Sequence, residues 1–331
     1  MQAPTQAHKS PRPLRTSSKA SILPSIHNPS GALPARFRRQ RVLIVGCGDI
    51  GLRAASLLRG RVQVLAVTSS PERVSALRAA GVRPLLADLD VPQSLRRLAG
   101  LADRVLHLAP PSTVEGARWW RDARTTALVR ALRQRVLPTA LVYGSTSGVY
   151  GDCGGARIDE TRTVRPHNPR AHRRVDAERA VRWLGRAGVA TRILRIPGIY
   201  APDRSGGTPR ERLRKGTPVL RGEDDVYTNH IHADDLARIC VAALWRGGTQ
   251  RVFHASDDTE LKMGDYIDLA ADLYGMPRPL RLARDAAQAQ LPLSLLSFMG
   301  ESRRLDNGRL KRELRVQLRH PTVATGLRPV S

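Results

Sequence analysis

The chain has 331 residues, 41% of them hydrophobic, and its 55 basic against 29 acidic side chains give a formal net charge of +26. That length holds one large α/β domain or a domain with a smaller partner lobe. No run reaches the roughly 18–20 apolar residues of a membrane span, so no membrane partner is expected.

The charge first points to nucleic acid, but its make-up argues against a specific one. Only five of the basic residues are lysine (Lys9, Lys19, Lys215, Lys262, Lys311), and the 50 arginines are spread over every segment. Aromatic residues make up 4%, too few for a base-stacking platform. Cys47, Cys153 and Cys240 are far apart and form no CxxC pair, so neither a disulfide framework nor a zinc site is implied. A reducing cytoplasm fits this cysteine usage, and no metal is expected.

Residues 1–40 carry seven basic side chains and no acid, and are rich in Pro, Ser, Ala and Gln without a helical or strand period. They read as a disordered basic tail. A targeting peptide, an interaction arm, and a start upstream of the protein proper near Arg39 are the three readings; the last is favoured.

From residue 41 strands and helices alternate. RVLIVGCG (41–48) is an apolar strand and turn, followed by a helix with Ile50, Ala54, Leu57 and Leu58 on one face. RVQVLAVTSS (61–70) is a second strand. PERVSALRAAG (71–81) opens with proline and closes with glycine, as a helix does. A third strand (82–90), a short helix (91–101) and a fourth strand (103–111) follow. A long amphipathic helix is predicted over 113–135 and a fifth strand over 139–151. A helix over 173–188 and a sixth strand over 189–200 complete the series. This alternation predicts βαβ units and a doubly wound parallel sheet.

After Tyr200 the rhythm breaks into Gly-, Pro- and charge-rich sequence. The expected organisation is a Rossmann dinucleotide-binding domain over 41–200, to which 231–255 returns. A smaller substrate lobe is expected from 201–230 and 256–331.

Gly46-x-Gly48-x-x-Gly51 follows the first strand and opens the first helix, the context in which this spacing carries weight. Gly46 permits the tight turn, Gly48 lets backbone approach a pyrophosphate, and Gly51 lets the helix pack on the strand. Asp49 and Ile50 begin the helix, whose free N–H groups face the phosphates. An acid at the end of the second strand would hold a ribose 2′-hydroxyl. The strand instead ends Thr68-Ser69-Ser70, with Arg53 and Arg73 near in sequence. The cofactor is therefore NAD or NADP, with NADP favoured.

STSGVYGD (145–152), RILRIPGIYAPDR (192–204), HIHADDLARICVAAL (230–244) and RRLDNGRLKREL (303–314) resemble the extended short-chain dehydrogenase/reductase superfamily, in its NAD-dependent epimerase/dehydratase group. The resemblance implies that Asp88 and Leu89 contact the adenine. Leu108, Ala109 and Pro110 then lie at the ribose and pyrophosphate, and Pro197 and Ile199 at the nicotinamide. Thr146 takes the place of the catalytic Ser/Thr. A homodimer and a small carbonyl or nucleotide-sugar-like substrate are also implied.

The catalytic pair departs from the group, whose chemistry uses Tyr as general acid/base and Lys four residues on. No YxxxK occurs in the chain. Anchored on Ala177-Glu178, the tyrosine place falls on Arg170 and the lysine place on Arg174. Arg174 keeps a charge for the ribose, whereas the Arg170 guanidinium stays protonated and moves no proton. His172 has the titration range of an acid/base, and Tyr200 ends the sixth strand near the expected site. The sequence thus implies an atypical epimerase/dehydratase-like oxidoreductase, with a non-catalytic NAD(P)-binding sensor or scaffold as the alternative.

Overall fold

β1 (Arg41–Val45) reads RVLIV, and its last four residues are buried, as suits a strand covered on both faces. It is an interior strand, third from one edge, of a seven-stranded parallel sheet. The others are β2 (Gln63–Thr68), β3 (Arg83–Leu86), β4 (Arg104–His107), β5 (Ala140–Thr146), β6 (Ala190–Ile196) and β7 (Arg251–His254). The order is β3-β2-β1-β4-β5-β6-β7, with every neighbour parallel. The chain builds outward from β1 to β3, then restarts beside β1 with β4. Loops leaving β1 and β4 diverge there, opening a crevice at the strands' carboxyl ends.

The computed structural model describes Met1 and residues 40–328, except 113–117, 293–294 and 297–298. The tail expected over 1–40 thus lies almost wholly outside the described residues. From Arg39 on the chain forms one compact unit. One face of the sheet is covered by α1 (Asp49–Leu58), α2 (Arg73–Ala79) and α5 (Ala233–Trp245), which bury Ala54, Leu58, Leu77, Leu236 and Ile239 against Ile44 and Val142. The other is covered by α3 (Ala123–Leu132) and α4 (Pro169–Gly185), with Leu128, Leu132, Val181 and Leu184 packed on Leu43, Val105 and Leu141. Beyond the sheet, α6 (Met263–Tyr274) buries Ile267, Ala270 and Ala271 against Leu213, Val219 and Val323. Among the described residues no helix is long and apolar enough to cross a membrane.

Several local expectations change; the fifth strand, for one, ends at Thr146, and the helix expected from 173 begins at Pro169. Leu57 is exposed, and Ala55 lies on the buried face of α1 in its stead. The helix expected over 91–101 is a 3₁₀ helix, Pro92–Leu98. The long helix expected over 113–135 begins at Ala123, because the Asp122 carboxylate accepts the Thr125 N–H and caps it; residues 113–117 lie outside the described part. The sixth strand stops at Ile196. Pro197, which has no N–H to donate, separates it from a short strand, Gly198–Tyr200, that pairs with His230–His232.

Candidate functional site

The Val45 carbonyl at the end of β1 accepts hydrogen bonds from the N–H groups of both Leu108 (2.7 Å) and Ala109 (3.0 Å) after β4. This draws the two loops together. Gly46 turns there with φ +89°, and a Cβ on it would stand 2.3 Å from the Ala109 nitrogen. Gly51 lets α1 settle on the turn: a Cβ there would stand 3.0 Å from the Gly46 carbonyl oxygen and 3.3 Å from the Ile44 side chain. Around Gly48 nothing lies within 4 Å of that position. Two glycines are therefore fixed by packing, and the middle one borders open space where backbone can meet a pyrophosphate. That cradle fits a dinucleotide.

Gly46, Gly48, Asp49, Ile50, Gly51, Leu108, Thr146, Arg174, Pro197 and Ile199 line one cleft of ≈260 Å³ above the switch point. Ser69, Asp88, Leu89 and Pro110 follow β2, β3 and β4 along the same sheet edge, outside that cleft. Ala109 is the floor against which Gly46 packs.

Arg53 is not available for a 2′-phosphate. Its guanidinium is held by Asp49 (2.9 Å), Asp203 (2.8 Å) and Asp234 (2.5 Å). Arg73 instead donates to the Cys47 carbonyl at 2.7 Å, at the glycine turn itself. Burial pushes the Cys47 thiol up to about 11, although Arg73 pulls the other way.

α4 begins where Asn168 accepts the Ala171 N–H and Pro169 takes the first turn. Arg174 is buried on its inner face and donates to the Gly144 carbonyl (2.8 Å) and the Tyr143 hydroxyl (3.1 Å), with its charge beside the cleft. Arg170, one turn earlier, is exposed into the cleft. His172 lines neither this cleft nor its neighbour; its ring packs edge-on against Trp119, with centroids 4.8 Å apart. Tyr200 also lies outside both, its hydroxyl donating to the Thr322 carbonyl at 3.2 Å. Neither is positioned as an acid/base.

Tyr150 is withdrawn into the core. Arg195 donates to its hydroxyl (2.6 Å), and the hydroxyl meets His254 Nε2. His254 Nδ1 faces the Asp306 carbonyl at 2.9 Å, so Nδ1 carries the proton and Nε2 accepts from the tyrosine. Arg195 also forms a two-pronged pair with Glu178 (2.8 and 3.1 Å), which accepts from Ser145 at 2.7 Å. Burial would raise the Glu178 carboxyl, but hydrogen bonds from Arg195 and Ser145 hold it below its ordinary value. This network fixes the end of β5 and therefore Thr146, whose Oγ1 accepts the Gly148 N–H at 3.3 Å.

Thr146, Arg170, Pro197, Ile199 and Arg204 belong equally to a second, larger cleft of ≈530 Å³, so the two spaces adjoin. Its outer wall comes from the later chain, including Arg212, Tyr227, Asn229, His230 and Arg303. Burial lowers His230 to about 4, which leaves it neutral, stacked on Tyr266 at 4.2 Å. Sequence reasoning missed His230, Arg212 and Arg303, since no short motif ties them to the first cleft.

His232, Asp234 and His320 bring three ligand-type atoms within 4.8 Å of one another. His232 Nδ1 accepts the Asp234 N–H (3.2 Å), which puts the ring proton on Nε2, and the Asp234 carboxylate is held by Arg53. These donors are committed as a helix cap and an ion pair, and the group does not fit a metal.

A glycine turn at the switch point of a parallel sheet, opening into a second cleft walled by the later chain, defines a doubly wound protein of the dinucleotide-binding class. The family model for the NAD dependent epimerase/dehydratase family matches residues 42–255, and the chain belongs to that family. A protein of unknown function from Silicibacter pomeroyi is 27% identical, with a TM-score of 0.68 over 87% of this chain and 96% of that one. UDP-glucose 4-epimerase from Thermotoga maritima, solved with UDP-glucose, is 18% identical with a TM-score of 0.71 over 87% and 96% of the two chains. UDP-glucuronic acid 4-epimerase from Bacillus cereus, in complex with UDP-glucuronic acid and NAD, is 20% identical with a TM-score of 0.67 over the same shares, 87% and 96%. No curated protein matches the chain.

Proposed function

We propose that this protein binds NAD or NADP along the glycine turn and a nucleotide-sugar-like substrate in the adjoining cleft, as an oxidoreductase without the usual Tyr–Lys pair. The observation that carries the reading is the continuity of the two clefts through Thr146, Arg170, Pro197, Ile199 and Arg204. The absence of an acid at the end of β2, Thr68-Ser69-Ser70, and the seat of Arg73 at the turn support NADP as an accepted form.

A bound nicotinamide supplies hydride exchange with a carbinol or carbonyl carbon. Thr146 Oγ1 already accepts a backbone N–H, so its own hydrogen is free to be donated to a substrate oxygen. Arg174 keeps a fixed positive charge beside the cofactor cleft. Arg170 stays protonated, so a proton released by a substrate hydroxyl passes to water in the open cleft. A base of that kind is weak, and slow turnover is expected.

The second reading is a non-catalytic dinucleotide sensor. It is favoured by one observation: no tyrosine or lysine lines the cofactor cleft. Fluorescence titration of the full chain with NADH and NADPH tests the cofactor, and binding of neither overturns both readings. Reduction of NAD or NADP in the presence of UDP-glucose or UDP-glucuronic acid separates them; turnover above the protein-free rate ends the sensor reading.

A further inference from the structure

The larger cleft is walled by four arginines, Arg170, Arg204, Arg212 and Arg303, and by a single acid, Glu301. Glu301 pairs with Arg303 at 2.9 Å, and Arg204 pairs with Asp49 at 3.1 Å. The other two cations form no salt bridge among the described residues, although Asp225 lies close enough to act on Arg212. Arg212 reaches only the Met263 sulfur (3.6 Å) and the Pro218 carbonyl (3.3 Å). Arg170 has neither a hydrogen-bond acceptor nor an ion-pair partner among the described residues.

Arg170 is also crowded by like charge. Arg174 follows it at i+4 on the same helix, a spacing that destabilises two cations. It sits in the first turn of the 17-residue α4, where the helix end adds further positive potential. Deeper in, the cleft wall has unmet hydrogen-bonding capacity at the neutral His230 and at Arg303, whose charge Glu301 balances. His230 and Arg303 are 7% and 9% exposed, and each keeps a side-chain nitrogen (Nδ1 and Nε) without a partner. A cluster of this kind is unfavourable when empty and is relieved by an anion with several acceptor oxygens.

Two of the four arginines, Arg212 and Arg303, line the larger cleft alone, and the other two line both clefts. Arg212 and Arg303 belong to the wall supplied by the later chain, whereas Arg170 stands at the junction with the dinucleotide cleft. We propose that the ligand presents a carboxylate to Arg170 at that junction, so that the substrate is a nucleotide-linked sugar acid rather than a neutral nucleotide sugar. The inference rests on the nucleotide-sugar reading above and specifies the group nearest the reacting centre. A planar guanidinium matches a carboxylate with two parallel hydrogen bonds, which a hydroxymethyl group does not offer.

The test is calorimetric titration of the full chain, saturated with NAD, with UDP-glucuronic acid and with UDP-glucose, in the wild type, Arg170→Gln and Arg170→Lys. The acid is expected to bind the wild type about tenfold or more tightly than the neutral sugar. In Arg170→Gln the ratio falls to within about twofold, and Arg170→Lys restores part of it by charge without the fork. Arg170 is exposed, so these variants should fold, which circular dichroism verifies. Equal binding of the two sugars, or a ratio that survives Arg170→Gln, overturns the carboxylate and leaves the nucleotide-sugar reading standing. Binding of neither sugar overturns that reading, and this proposal with it.

Discussion

The turn at Gly46 passes so close to Ala109 that a Cβ on the glycine would stand 2.3 Å from the Ala109 backbone nitrogen. Neither backbone can retreat, since Val45 holds both loops by hydrogen bonds to Leu108 and Ala109. Gly46→Ala should therefore destabilise the protein by about 3 kcal/mol or more, from the positive φ and the backbone clash together. Gly48 has φ −81° and open space around it, so Gly48→Ala should cost only about 1 kcal/mol, as a poorer N-cap of α1 rather than through a clash. It should nevertheless weaken NADH binding, because the methyl occupies the approach to the pyrophosphate. Thermal unfolding and NADH titration of the two variants check the contrast. Equal thermal shifts would remove the distinction between a packing glycine and a binding one.

The pair between Glu178 and Arg195 lies under the sheet edge, with side chains 1% and 4% exposed. Removing one partner leaves the other charge buried, which costs about 3–5 kcal/mol. Glu178→Gln should show that loss in urea unfolding at neutral pH. The folded Glu178 carboxyl lies below its ordinary 4.5, so the stabilisation is complete above that pH and is lost as pH falls through the folded value. The variant should thus converge on the wild type at low pH. A constant gap from neutral to acid pH would sink the assignment.

His107, His230 and His254 are buried, and desolvation is the leading cause that lowers them to about 3, 4 and 4 from an ordinary 6.5. Each is neutral in the fold and takes up a proton when unfolded below that ordinary value. Unfolded chains then bind more protons than folded ones, so stability should fall as pH drops from 6.5 toward 4. The slope is about 1.4 kcal/mol per pH unit for each histidine, at most. Urea midpoints between pH 7 and pH 4.5 measure it. Flat stability across that window would mean that these rings are charged or open to water in the fold.

Much of the sheet was legible because its signals are local. RVLIV, the glycine spacing and the proline-to-glycine helix at 71–81 each carry their structure within a dozen residues. Asp122, which shortens the third helix by accepting the Thr125 N–H, was legible in principle as a cap, but a periodic apolar face upstream of it outweighed one residue. The site was legible only in part. Gly46 follows from the alternation, whereas Leu108, Thr146 and Pro197 are what the family resemblance implies at the strand ends. Arg212, His230 and Arg303 come from chain 40 or more residues beyond Arg170, and only folding brings them to it. His172 failed for another reason: adjacency in sequence to Arg170 says nothing about which face of a helix a side chain occupies, and its face is the one that meets Trp119.

Restoring the pair that the sequence lacks gives the sharpest test of the site. Arg170 borders both clefts and Arg174 lies one turn behind it, beside the dinucleotide space. In the double variant Arg170→Tyr with Arg174→Lys, a phenol would stand at the junction with an ammonium group at its back, close enough to lower its pKa. A positioned general acid/base contributes about 10²–10⁴-fold. NAD or NADP reduction with UDP-glucose should therefore rise at least a hundredfold over the wild type, while neither single variant approaches that gain, since the two groups act as a unit. The pH profile should also acquire the titration of the new phenol. If the double variant still binds NADH and turns over no faster than the wild type, the junction does not hold a substrate carbon within reach of that phenol. The sensor reading would then account for the two clefts better than the enzymatic one.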